Sequence, residues 1–203
     1  MAMIDRTTTA GSAPDARGAN ENKFLSFCLG SEQYGVEILR VREIIGLLSI
    51  TPLPQTPAYV KGVMNLRGRI IPVIDLRLRF SLSAAEATKE TCIIVLESTD
   101  AEGAQTVMGA IVDSVREVQD IPRSAIEPPP EFGCEIPLKY ILGMGKVKEK
   151  DKDKERDKVV VLLDIAEVIG TRERAQIAGA IKDAGAAGTV TSSASISSER
   201  RAA

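Results

Sequence analysis

The 203-residue chain contains no histidine and no tryptophan, and only four Phe and three Tyr. Without histidine it lacks the usual general base, the commonest metal ligand and the phosphate-accepting imidazole. The shortage of aromatics removes the stacking platforms that hold single-stranded nucleic acid. An excess of one charge is missing too: 26 basic residues stand against 28 acidic ones, so no bulk attraction draws the chain to nucleic acid or an anionic membrane. Enzymatic and nucleic-acid functions start at a disadvantage, and neither a cofactor nor a bound metal is expected. No apolar run approaches the ~20 residues that span a bilayer. Residues 1–22 carry no apolar signal core, so the cytosol is the expected compartment. Cysteine is scarce: Cys28, Cys92 and Cys134 lie far apart with no CxxC pair, and Cys28 and Cys92 sit in apolar runs as expected packing residues.

What is present is a series of short runs rich in Val and Ile, punctuated by Gly, Pro and Asn, which is the signature of an all-β fold. An exception is Ile165 to about Ile177, whose rough helical spacing predicts a terminal helix. Residues 1–22 and 173–203 are polar or small and aperiodic, and are expected to be disordered tails.

Between the tails the sequence repeats itself. Gly35 and the Val41-Arg42-Glu43 run meet Gly109 and Val115-Arg116-Glu117 at a shift of 74. Ile50 and Pro54 meet Ile126 and Pro130 at 76, Gly62 meets Gly143 at 81, and Ile70 to Leu76 meets Val159 to Ile165 at 89. The shift only grows, as loop insertions require. The expected fold is therefore two small five-stranded SH3/OB-like β-barrels related by duplication, over 23–90 and 91–172, with strand exchange between them left open. Features common to both copies have structural explanations: Gly35 and Gly109 as close backbone approaches, Asp75 and Asp164 as helix N-caps.

Differences between the copies point to function. Ile44, Ile45, Leu47 and Leu48 form an apolar stretch where the second copy turns polar, and such a stretch is either an interface or a contact between the barrels. The tight connection Met64 to Arg69 has an Asn65 and a Gly68 that suit left-handed turn geometry, and it leaves Arg67 at its tip. Its counterpart, 148–158, is an unbroken run of six basic and five acidic residues, expected to be a solvated hairpin loop.

The segments FLSFCLGSEQYGVEILRVREII and VKGVMNLRGRIIPVIDLR resemble the CheW family of bacterial chemotaxis coupling proteins, from about Phe24 to Ile169. The resemblance implies a non-enzymatic two-barrel adaptor that links the cytoplasmic tips of chemoreceptors (methyl-accepting chemotaxis proteins) to the regulatory domain of the histidine kinase CheA, in the cytoplasm at membrane-associated arrays. It also implies a receptor-binding groove that includes Val41, Glu43, Gly62, Arg67, Ile93 and Gly109. Kinase docking is implied on an apolar edge mapped to Ile44, Ile45, Leu47 and Leu48. Two other readings are an adaptor of a parallel, non-chemotaxis kinase array and a small-barrel oligonucleotide binder, the second disfavoured by charge and composition.

Overall fold

The structure, a computed structural model, describes residues 22–99, 103, 105–130, 136–151, 154–170, 177, 179 and 180. The first copy contributes β1 (Lys23–Leu29), β2 (Glu32–Glu37), a 3-10 turn (Ile38–Arg40), β3 (Val41–Gly46), β4 (Val60–Leu66), β5 (Arg69–Asp75) and α1 (Leu76–Arg79). The second contributes β6 (Cys92–Thr99), β7 (Gln105–Val112), β8 (Ser114–Asp120), β9 (Ile126–Glu127), β10 (Ile141–Asp151), β11 (Lys154–Leu163) and α2 (Ile165–Val168). As expected, the described chain is dominated by strands, with only short helices.

The sheets do not follow the sequence copies. One sheet runs β8-β1-β2-β11-β10-β9 and the other β3-β6-β7-β5-β4. A boundary at 90/91 therefore divides the repeat but not the sheets. The exchange is reciprocal and keeps register: Gly35 on β2 pairs in parallel with Leu162 on β11, while Gly109 on β7 pairs in parallel with Val73 on β5. Gly35 and Gly109 are related by the shift of 74, and Val73 and Leu162 by that of 89. Each sheet thus borrows the same piece from the other copy. The sixth strand of the larger sheet, β9, places Glu127 opposite Met144, and the single Thr51–Val63 bridge repeats that contact in the smaller sheet.

Three apolar clusters follow from this layout. The largest lies between the sheets and joins Phe27, Tyr34 and Val36 to Ile94, Leu96 and Ala110. A smaller one fills the outer concavity of each sheet, around Met64, Val73 and Ile93 in one and Phe24, Val160 and Leu162 in the other. The shared glycines stand where backbones cross these cores. A Cβ on Gly109 would come within 2.8 Å of Ile93 Cγ2, and one on Gly35 within 2.9 Å of Leu162 Cδ2. At Gly62, φ is +137° and a Cβ would strike the Thr51 carbonyl; at Gly143 it would lie 2.9 Å from the carbonyl oxygen of Glu127, the counterpart of Thr51. Both expected caps form: the Asp75 carboxylate accepts from the Leu78 N–H, and that of Asp164 from the Ala166 and Glu167 N–H groups.

Where the copies meet, the Arg79 guanidinium lies over the Tyr59 ring at 4.6 Å and the Tyr140 ring at 5.0 Å, and its Nε donates to the Val168 carbonyl at 3.0 Å. Tyr59 and Tyr140 are a repeat pair, 81 positions apart, so one cation holds both halves of the duplication.

Two expectations change. The expected loop is narrower than 148–158: β10 runs on to Asp151 and β11 starts at Lys154, with Lys148 opposite Asp157, Glu149 opposite Arg156, Lys150 opposite Glu155 and Asp151 opposite Lys154. Every one of these backbone pairs joins an acidic to a basic residue in the sequence. Ile177, inside the span expected to be tail, is helical and buried in the inter-sheet core, where it continues the apolar spacing of the terminal segment. The rest of the expected helix beyond Gly170, and nearly all of both expected tails, lie outside the described residues.

Candidate functional site

The first candidate groove is shaped by a bulge and a turn. Pairing between β3 and β6 shifts register between Val41 and Glu43. Val41 consequently packs half-buried against the inter-sheet core opposite Leu96, whereas Glu43, opposite Val95, faces the outer groove. The β4–β5 connection is a two-residue turn with Arg67 at φ +53° and Gly68 at φ +84°, and the Asn65 side chain accepts from the Gly68 N–H at 2.8 Å. The left-handed positions are therefore Arg67 and Gly68; Asn65 acts through its amide oxygen. This geometry aims Arg67 Nη2 at Glu43 Oε2, 2.8 Å away.

Arg67 is 79% exposed and Glu43 26%, so the pair sits on the rim of a groove of about 410 Å³. Its floor is apolar, with Ile71, Val95 and Val107, and its rim adds Arg42 and Arg69, which sequence reasoning missed. Arg42 Nε donates to Glu97 Oε2 at 2.6 Å. Three guanidiniums over an apolar floor suit an acidic, partly apolar partner.

The remaining expected receptor positions are structural. Ile93 has no exposed surface and belongs to the cluster beneath the groove. Gly109 makes room for Ile93, and Gly62 lets β4 pass the Thr51 carbonyl. No partner reaches the Ile93 side chain directly; changes at these three positions act through the shape of the sheet.

A second groove, of about 290 Å³, lies beside Leu47 and Leu48, which are 41% and 43% exposed. Ile45 is half-buried against the smaller sheet's own cluster, and Ile44 is 45% exposed on β3. Ile44 does not break the repeat, since its counterpart Val118 is 48% exposed; Leu47 does, because its counterpart Ile121 is buried. The groove contains Arg77 and Asp113, also missed. Arg77 Nε and Nη2 donate to the two Asp113 oxygens at 2.7 and 2.6 Å, and the Gly30 N–H donates to the same carboxylate at 2.6 Å. These hydrogen bonds, the Arg77 one foremost, hold the Asp113 carboxyl below the usual range against the opposing effect of burial, and the same contact raises Arg77. The signal lay in the repeat: Arg77 aligns with Ala166 and Asp113 with Leu39, so both members of the pair are absent from the opposite flank.

Burial pushes the Cys92 thiol up, in keeping with a packing role. Among the described residues no group of His, Cys, Asp or Glu could hold a metal ion, and no helix is long and apolar enough to cross a membrane.

Residues 23–173 match the CheW-like domain family. The chain belongs to the CheW family. It is 35% identical over 171 residues to the chemotaxis protein CheW of Klebsiella aerogenes, covering 83% of this chain and 95% of that relative. It is 34% identical over 148 residues to the CheW of Helicobacter pylori, covering 72% and 81%. The crystal structure of the scaffolding protein TtCheW from Thermoanaerobacter tengcongensis superposes with a TM-score of 0.61 at 34% identity, over 75% of this chain and 95% of that one. This CheW-family chain is thus a chemotaxis scaffold, and scaffolding asks for binding surfaces.

Proposed function

We propose that the chain is a non-enzymatic adaptor that couples the cytoplasmic tips of chemoreceptors to the regulatory domain of the histidine kinase CheA, in the cytoplasm at membrane-associated arrays. The supporting observation is that one lobe carries two separate grooves of different chemistry. The Glu43–Arg67 groove is cationic with an apolar floor; the Leu47–Leu48 groove presents exposed leucines. A receptor helical hairpin with acidic and apolar side chains suits the first, and an apolar edge of the kinase regulatory domain suits the second. Holding both partners on one rigid lobe transmits a receptor shift to the kinase whenever the two receptor states bind with different free energies.

Because Arg67 is largely exposed, its contribution is that of a rim charge. Arg67→Glu places two carboxylates side by side and is expected to weaken receptor-hairpin binding about tenfold, mainly through slower association, with little change in thermal unfolding. Titration of purified receptor hairpins into wild type and variant tests this. Equal affinities with both proteins folded would remove the groove from the receptor interface.

A further inference from the structure

We infer that the Arg77–Asp113 pair is a positioning element: it sets the wall of the Leu47–Leu48 groove and thereby governs how well the kinase regulatory domain docks there. The inference rests on the proposed docking and goes beyond it by naming what shapes the site.

The groove has two walls of unlike rigidity. One is the segment around Leu47, Leu48 and Ile50, which continues from β3 and is tied to β4 by the Thr51–Val63 bridge. The other is the connection after α1, where Ala85, Glu86 and Ala87 face the leucines with neither helix nor strand to hold them. That second wall is anchored at its root by Arg77. The Arg77 carbonyl accepts from the Leu82 N–H at 2.8 Å, and Nη1 donates to the Ser83 carbonyl at 3.0 Å. The same guanidinium is held by Asp113 in two-point geometry, so the wall is fastened through Asp113 to the β7–β8 corner, and through the Gly30 N–H to the other sheet. The Arg77 side chain is 18% exposed and that of Asp113 31%, which protects the pair from full solvent screening.

The groove also indicates what it takes. With Arg77 and Asp113 engaged with each other and Asp75 capping α1, Lys61 and Glu86 are the lining charges with no partner among the described residues. Two exposed leucines flanked by one spare cation and one spare anion match a folded protein surface that presents an apolar side chain between opposite charges. The volume is at the bottom of the range for small-molecule sites and admits one or two side chains. On the opposite flank, where the repeat would put a second such pair, Leu39 and Ala166 stand instead, and neither carries a charge.

The test uses the full chain with Asp113→Asn, and with Asp113→Glu, which keeps a carboxylate for Arg77 and leaves the Arg77–Ser83 bond in place. Calorimetric titration with a CheA regulatory domain and, separately, with receptor hairpins is combined with amide hydrogen exchange over 83–91. For Asp113→Asn the expected result is faster exchange in that segment, about tenfold weaker binding of the regulatory domain and receptor affinity within about twofold of wild type, with Asp113→Glu nearer to wild type in both exchange and kinase affinity. Unchanged exchange, or unchanged kinase affinity, overturns the inference. A parallel fall in both affinities overturns it too, by making the pair a general staple of the fold. Failure of wild type to bind the regulatory domain while Asp113→Asn still loosens 83–91 would instead sink the docking reading and leave the anchoring intact.

Discussion

The two halves of the duplication agree in their backbone crossings and disagree in their charges. Glycines 35 and 109, glycines 62 and 143, the capping aspartates and the tyrosines that flank Arg79 recur in both. The Glu43–Arg67 and Arg77–Asp113 pairs occur in the first copy or reach across from it, and the long alternating ribbon of β10 and β11 occurs only in the second. What one fold needs twice is fixed by sterics. What it does once is written in guanidiniums, carboxylates and exposed leucines.

The strongest way to break this comparison is at the crossings. Gly62→Ala meets backbone atoms at a positive φ and should cost about 4 kcal/mol. Its twin Gly143→Ala, with no positive φ to strain, should cost about 2 kcal/mol. Denaturant midpoints of the two variants give the ranking, and equal losses would mean that strain at Gly62 contributes nothing.

Next in size is the one-sided ion pair. Asp113→Asn should destabilise by about 2 kcal/mol at neutral pH. The sign of its pH dependence follows from a folded-state carboxyl lying below its unfolded value: the contribution is present above about pH 4 and is lost as pH falls through the folded value. Wild type and variant should therefore converge in acid, as thermal unfolding between pH 7 and pH 3 will show. A constant gap would point to packing in place of charge.

Smaller still are the caps, which sharpen the likeness between the copies. Asp75→Ala and Asp164→Ala should each cost about 1 kcal/mol, with Asp164 the larger because it accepts from two N–H groups. The smallest effect belongs to the ribbon. Joining Val147 to its register partner Lys158 through Asn-Gly should change stability by less than about 1 kcal/mol, since the pairing below the turn is kept and the loop is local.

Much of this was legible before any coordinates. The glycines and aspartates announced themselves by recurring at rising shifts, and Arg67 by standing at a turn its twin lacks. Strand exchange was not legible, because alternation tells which face a residue takes but not which strand lies beside it. Ile93 and Gly109 show the opposite error: a position whose change is felt at a binding groove can be buried under it. Charged loops are equally hard to read, since a run such as 148–158 carries no apolar alternation to reveal that its register sets Lys148 against Asp157 and Glu149 against Arg156.

The reciprocal pairing of β2 with β11 and β5 with β7 has a consequence for the history and handling of the molecule. Each half completes the other's sheet, as two identical chains would if they traded arms and were later joined end to end. A cut in the 85–90 connection would yield two pieces that each lack a strand's neighbour and bury their apolar faces only in one another's company. The unit that folds is the pair, and inheritance of a single copy would have required a dimer.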